Sequence, residues 1–587
     1  MMSRRLAVAL IFALAIGLAS GAARPPGAAG GMAAIQTTDL QKWLTYLSSD
    51  ELEGRGNFSE GLGIAADYLA EQLREIGVRP AGDDGTYFEH VKVLSIKSTP
   101  HSTVTVEVNG QTRTFKDGEG IEFPKNVGGK RSFTVDQVEL VGYGLNAPSI
   151  KHNDYAGKVL RGKAVVWLGP NGPKGTDPQQ ARRILSGRNR YATDTAQAVA
   201  VLGPEIPRPA PSAGRAPAGP PPGMMPQAGP GGERPDFVTV QRLDSPIPPA
   251  VTVKVDGGDA FWEFLFSGAQ VKYAQLKDIA ARQEALPGFA LKGVRLTFNL
   301  DADYQVIRTQ YTHNVVGVID GSDPQLKDTY VAFGAHYDHV GYAEGEVVQT
   351  PDGPRRQGAV GRVKDGALDD RIWNGADDDG SGSVALVGVA KAFMAGPRPR
   401  RSLLFVWFAG EERGLWGSRY HADFGPTSKI VAQLNADMIG RNRDDRPEEA
   451  NTVYIIGSDR ISTELHTINV DANASLARPL KLDYEFNDPA DPENLYFRSD
   501  HYSYASKGIP IVFFTTGLHP DYHANTDSVE KIQFDKLTRI TQLIYETGRR
   551  VADLDHAPVR DNKGPRAGKG SGGKIGTELP EPLLPRP

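Results

Sequence analysis

Five short apolar runs, almost without a polar break, punctuate the second half of the sequence: Tyr330–Gly334, Leu403–Phe408, Ile430–Leu434, Val453–Ile456 and Ile511–Thr515. Helical stretches lie among and after them, at Ser383–Phe393, Gly414–Phe424, Ile461–Val470 and Phe534–Ala552. A strand with one wet face alternates apolar and polar residues. A strand that does not alternate must be covered on both faces. The pattern predicts an α/β fold with a mostly parallel central sheet flanked by helices. In such sheets ligands bind beyond the carboxyl ends of the strands.

At 587 residues the chain is too long for one hydrophobic core, so more than one domain is expected. Thr38 to about Val93 reads as helical, with Leu40, Trp43, Leu44 and Leu47 at helical spacing. From Leu94 the pattern changes to β runs, Thr103–Val108, Val138–Val141, Ala164–Leu168 and Ala250–Val255, with a helix near Ala260–Phe266. The expected organisation is an N-terminal segment 38–93, a β-rich insertion 94–284 and a main domain 285–555. Within the insertion, Gly203–Pro235 is crowded with Pro and Gly and has too few large apolar residues to offset its ordering entropy, so a mobile loop is expected. The tail 556–587 is expected to be disordered.

Residues 1–23 read as an export signal. Arg4 and Arg5 precede the apolar run Leu6–Leu18, and Ala19–Ala23 are small. The run is short for a bilayer span, so the mature protein is expected to be periplasmic or secreted, with no stable membrane anchor. There is no Cys, which excludes a disulfide framework and a lipid-bearing Cys. A net charge of −5 gives no general attraction to nucleic acid.

Five residues of metal-ligating type stand at the ends of apolar runs or in the turns that follow: His336, Asp378, Glu412, Asp437 and His523. Two imidazoles and three carboxylates suit a pair of zinc-like ions with open positions. Glu411 is a spare carboxylate and a candidate general base. Asp338 can orient His336, Asp527 can orient His523, and Tyr522 can donate to a developing oxyanion. Each motif alone has a plainer reading. Asp377-Asp378-Asp379 can be a solvated loop before a helix, and Glu411-Glu412 can be N-terminal helix acids. Of the remaining histidines, His421 and His466 are expected at the surface, and His339, His501 and His519 in structural roles, with lining of the pocket as the alternative for each.

Six segments, AHYDHVG, NGADDDGSGSVALV, FVWFAGEERGLWGS, LNADMIG, RSDHYSYASKGIP and TGLHPDYHANTDSVEKI, together resemble the zinc peptidases of family M28. DELEGR at Asp50–Arg55 resembles the segment that opens many members, and VELVGYGLNAPSIKHNDYAGKVLRGKAVVWL resembles a protease-associated domain. The resemblance implies a zinc exopeptidase fold carrying two zinc ions. It makes Asp378 the bridging carboxylate, with His336 and Asp437 on one ion and Glu412 and His523 on the other. It also implies a Glu411 base, a supporting Asp338, an oxyanion-binding Tyr522, an Arg498 near substrate, and a cis bond after Asp378. The implied activity is removal of N-terminal residues from peptides with a free N-terminus. The competing readings are a carboxypeptidase of the same family, a glutaminyl-cyclase-like acyltransferase and a noncatalytic receptor-like module. Oligomeric state is not indicated.

Overall fold

The computed structural model of the protein describes residues 31–561, apart from 148–149, 176–184, 186, 206–232, 245–250, 256–258, 351–352, 490 and 492. The export signal, most of the Pro/Gly-rich segment and most of the tail expected from the sequence lie outside the described residues.

A ten-stranded sheet forms the main body. Its centre is Ser402–Phe408, Tyr330–His336, Ile430–Ala436 and Ile511–Thr515, all mutually parallel. These are apolar runs from the sequence, three of them extended by a residue or two and Ile511–Thr515 unchanged. They lack alternation because both faces are covered. Phe333 and Phe405 pack under the helices Glu60–Ile76, Gly382–Ala395 and Phe534–Ala552, while Ala332, Leu404 and Val406 meet Ala422 and Tyr504 on the other side.

Beyond this core the sheet departs from the expected mostly parallel arrangement. Ala302–Ile319 pairs antiparallel with Ser402–Phe408 and with Phe88–Pro100, and Thr452–Ile456 pairs antiparallel with Ile511–Thr515. The sheet is mixed because its outer strands serve a different connection: the chain leaves along Phe88–Pro100 and returns along Ala302–Ile319, with the insertion between them. Phe88–Val93 is therefore strand, where helix was expected. The residues alternate Val91-Lys92-Val93, with Val91 and Val93 buried and Lys92 exposed.

The insertion has its own core. One sheet holds Val251–Val255, Ala200–Pro204, Ala164–Val166, Val138–Val141 and Gly288–Ala290, and another holds Gln111–Lys116, Thr103–Val108, Val294–Leu300 and Arg131–Val135. Phe261, Trp262, Phe298 and Leu296 pack between them. The observed unit thus starts after Pro100 and ends near Leu300, whereas the sequence placed it at 94–284. Gly288–Leu300 belongs to it because those residues pair with Val138–Val141 and Thr103–Val108. Gly203 and Pro204, expected in the mobile loop, end a strand. At the other end of the chain, His556 meets Glu464, and the Val559 N–H donates to the same carboxylate, so the described chain stays docked past the expected tail boundary.

Arg55 ties the N-terminal segment to the site. Its buried guanidinium donates to the carbonyls of Tyr337 (2.8 Å), Asn374 (2.6 Å), Gly375 (2.8 Å) and Leu47. Arg55→Ala is expected to cost about 3–4 kcal/mol, because several buried carbonyls lose their donors together. Denaturant melts should show this against the exposed control Arg113→Ala. Equal midpoints would mean that water replaces the guanidinium at no cost.

Candidate metal centre

The parallel strands deliver the site. His336 is the last residue of its strand, Asp437 follows Ile430–Ala436 directly, and Glu411–Arg413 form a turn shortly after Ser402–Phe408. Asp378 sits in the irregular turn Ala376–Ser381 that leads into helix Gly382–Ala395. His523 lies in the loop after Ile511–Thr515, with φ +53°.

These side chains converge. His336 Nε2 is 3.3 Å from Asp378 Oδ1 and 3.7 Å from Asp437 Oδ1. His523 Nε2 is 3.1 Å from Asp378 Oδ2 and 3.0 Å from Glu412 Oε2. Asp378 therefore presents one oxygen to each imidazole. The solvated-loop reading of the three acids fails, since Asp377, Asp378 and Asp379 are all buried. Asp378–Asp379 is a cis bond, as the resemblance implied.

His339 joins the cluster, where the sequence reading favoured a structural role over a place in the pocket lining. Its Nδ1 lies 2.9 Å from Glu412 Oε1 and 3.8 Å from Asp378 Oδ2. Two donor groups can hold a metal: His336, Asp378 and Asp437, and His339, Asp378 and Glu412. Both ring nitrogens of His339, Asp378 Oδ2 and Glu412 Oε1 are buried, and although charged partners lie within 2.9–3.1 Å of three of them, none makes an aligned hydrogen bond. Leaving such atoms unpaired is costly, and a cation among them would satisfy them. Mixed imidazole and carboxylate donors of this kind suit zinc. The available signal for His339 was its position three residues after His336, just past a strand end.

The electrostatics point the same way. Burial opposes the His336 imidazolium, but Asp378 and Asp437 more than offset it and hold its pKa well above the ordinary value. His523 is likewise held well up against burial, chiefly by Glu412. Burial also opposes the Asp378 carboxylate, yet His336 and His523 hold it well below the usual range. The pocket stabilises positive charge at its centre. Glu411 behaves oppositely. Burial pushes its carboxyl well above the usual range, opposed by His336 and aided by Glu412 and Asp437. Burial also opposes the Glu412 carboxylate, yet His523 holds it below the usual range, so the two adjacent carboxyl groups have different characters, which fits an acid–base group beside a ligand.

The neighbouring acids hold the backbone. Asp338 accepts from the Glu411 N–H at 3.0 Å and from Asn57 Nδ2 at 2.7 Å, while its carbonyl lies 3.0 Å from His336 Nδ1. It orients His336 through the main chain and Glu411 through the carboxylate. Asp527, expected to orient His523, instead accepts the N–H groups of Asp377 (3.0 Å) and Asp378 (3.1 Å). Asp379 accepts from His336 N–H (3.1 Å), Gly382 N–H (2.9 Å) and Met438 N–H (3.1 Å). Tyr522 stacks on His523 with centroids 4.0 Å apart and accepts from Arg498 Nη2 at 3.1 Å. His421 and His466, expected at the surface, are buried: His421 on the inner side of helix Trp416–Phe424 near Tyr504, His466 against Ser458 Oγ. Their helices pack on the sheet, and the sequence pattern did not reveal which face turned inward.

Residues 314–548 match the family model described as Peptidase family M28. The matched segment contains every side chain of the metal cluster. Among curated relatives, the chain is 27% identical over 248 residues to the probable leucine aminopeptidase 1 of Trichophyton verrucosum, covering 40% of this chain and 56% of that one. It is 33% identical over 168 residues to leupeptin-inactivating enzyme 1 of Streptomyces exfoliatus, covering 28% of this chain and 34% of that protein. The chain thus spans about half the length of the first of these relatives, or less. A zinc aminopeptidase structure from Bacillus subtilis aligns at 15% identity over 87% of this chain and 94% of that one, with a TM-score of 0.39. No helix among the described residues is long and apolar enough to cross a membrane.

Proposed function

We propose that the chain is an exported dizinc exopeptidase, an aminopeptidase that removes N-terminal residues from peptides. The observation that carries this reading is Asp378, buried between His336 and His523 with one oxygen toward each. The M28 match over 314–548 supports it, as do the aminopeptidase names of relatives. In this reading His336, Asp437 and Asp378 hold one zinc ion, and Glu412, His523 and Asp378 hold the other, with His339 in reach of the second. Zinc there would act as a Lewis acid and make water a better nucleophile at neutral pH.

The chain's own residues supply the rest. Glu411 takes the proton from the attacking water and passes it to the leaving amine. Arg498 already occupies a lone pair of the Tyr522 oxygen, so the Tyr522 proton is available for the carbonyl oxygen as charge develops there. The concentration of carboxylates favours a free ammonium group and disfavours an acylated N-terminus.

Elemental analysis should find two zinc ions per chain. Free-amine dipeptides should be cleaved and their acetylated counterparts left intact. A fully active protein with one zinc, or equal cleavage of both peptide types, would overturn the reading. His339→Asn is expected to weaken retention of one zinc by roughly tenfold to a hundredfold, the range seen when groups supporting a metal are removed. Competition with a chelator measures this directly, and unchanged retention would return His339 to a packing role.

A further inference from the structure

The cleft that Tyr522 shares with the metal cluster carries four guanidinium groups on its wall, with the carboxylates of Asp444 and Glu493 among them. It has a volume of ≈ 790 Å³, and its wall includes Arg190, Arg362, Arg443, Arg498 and Tyr522. Two of these arginines have carboxylate partners: Arg443 with Glu485 at 3.0 Å and Arg498 with Glu493 at 3.3 Å. Arg362 donates to the backbone carbonyls of Pro520 and Tyr522, which position it without neutralising it. Arg190 lies over the Phe497 ring at 5.2 Å, next in sequence to Arg498. Neither Arg362 nor Arg190 forms an ion pair with a carboxylate among the described residues.

Arg190 belongs to the insertion, not to the main body. Its turn is fixed at the cleft by Tyr502, whose hydroxyl donates to Asp194 Oδ2 at 2.7 Å. The insertion thus brings an unpaired positive charge to a mouth that already holds Arg362. Tyr522 on the same wall stacks on His523, which meets the carboxylates of Asp378 and Glu412, so the mouth adjoins a cluster of the opposite character. A molecule reaching from the cluster past Tyr522 would leave carboxylates and meet the guanidinium groups of the mouth.

We infer that the arginine-lined mouth is a carboxylate subsite, in which Arg190 and Arg362 receive an anionic group of the peptide whose scissile bond lies at the metal cluster. The inference rests on the proposed peptidase function and specifies its substrate class. The carboxylate has two sources: an acidic side chain, or the terminal carboxylate of a short peptide. Guanidinium and carboxylate groups pair in planar, bidentate fashion, which supplies selectivity as well as attraction.

The zinc-loaded full chain tests this with matched substrates. One arm compares the p-nitroanilides of Asp and Glu with that of Leu. A second compares the dipeptide Leu-Ala with its C-terminal amide. A third offers N-acetyl-Leu-Ala. At least one carboxylate substrate should exceed its neutral counterpart by about five- to tenfold in kcat/KM at low salt, and the advantage should shrink as salt is added. Preference in the first arm assigns the side chain, and preference in the second assigns the terminus. Arg190→Gln should lower the carboxylate-to-neutral ratio, and Arg190→Lys should restore much of it. Cleavage of the acetylated peptide, with the same dependence on Arg190, would support the subsite while overturning the aminopeptidase direction. Ratios near one in the unaltered protein, or ratios that Arg190→Gln leaves unchanged, would overturn the subsite alone. No hydrolysis in any arm would overturn the peptidase reading beneath it.

Discussion

Glu411→Gln is expected to lower kcat on an aminoacyl substrate by roughly a hundredfold or more while both zinc ions stay bound. The amide keeps the shape of the side chain and loses its capacity to carry a proton. The backbone of the turn should not move, because the Glu411 N–H is held by Asp338 and not by the side chain that changes. Glu412→Gln should behave differently. Its carboxylate meets His523 at 3.0 Å and His339 at 2.9 Å, so the substitution should release metal first and activity as a consequence. Kinetics paired with elemental analysis separate the two. Normal turnover in Glu411→Gln, or equal zinc loss in both variants, would exchange or dissolve the roles.

Asp378→Ala should have the broadest effect. It removes the one carboxylate that faces both His336 and His523, so zinc content should fall below one ion per chain and kcat/KM by roughly a thousandfold or more. The His336 imidazole should lose much of its upward pKa displacement, since Asp378 is its leading cause, and His523 a smaller part, since Glu412 remains beside it. Imidazole titration by NMR in metal-free protein provides a readout independent of turnover. A variant that keeps two ions would show that Asp378 bridges nothing.

Much of the core was legible because burial on both faces leaves a direct mark. Leu403–Phe408 and Ile511–Thr515 could be read as strands since neither face had to be polar. His336 and Asp437 stood out because each is a polar group placed where such a run stops. Ala302–Ile319 was missed for the complementary reason. Its first half is largely open to solvent and its second half is buried, so it keeps no single period along its 18 residues. The insertion boundaries were misplaced because strand pairing, not composition, decides that Gly288–Leu300 belongs with residues far earlier in the chain. His339 was weighed as packing because its ligand-like surroundings come from Glu412 and Asp378, which lie far away in sequence. Arg190 could not have been assigned to the cleft at all. Its neighbours there are Phe497 and Arg498, and no local pattern encodes that approach.

The buried carboxylate of Asp379 has a kinetic meaning. By accepting three main-chain N–H groups it fastens the end of the His336 strand, the start of helix Gly382–Ala395 and the chain just after Asp437. The donor atoms are therefore spaced by the protein's own hydrogen bonds, and an arriving ion does not have to organise them. Little chain entropy remains to be lost on capture. Exchange of the ions should then be governed by ligand release and passage through the cleft, with the fold persisting through each vacancy.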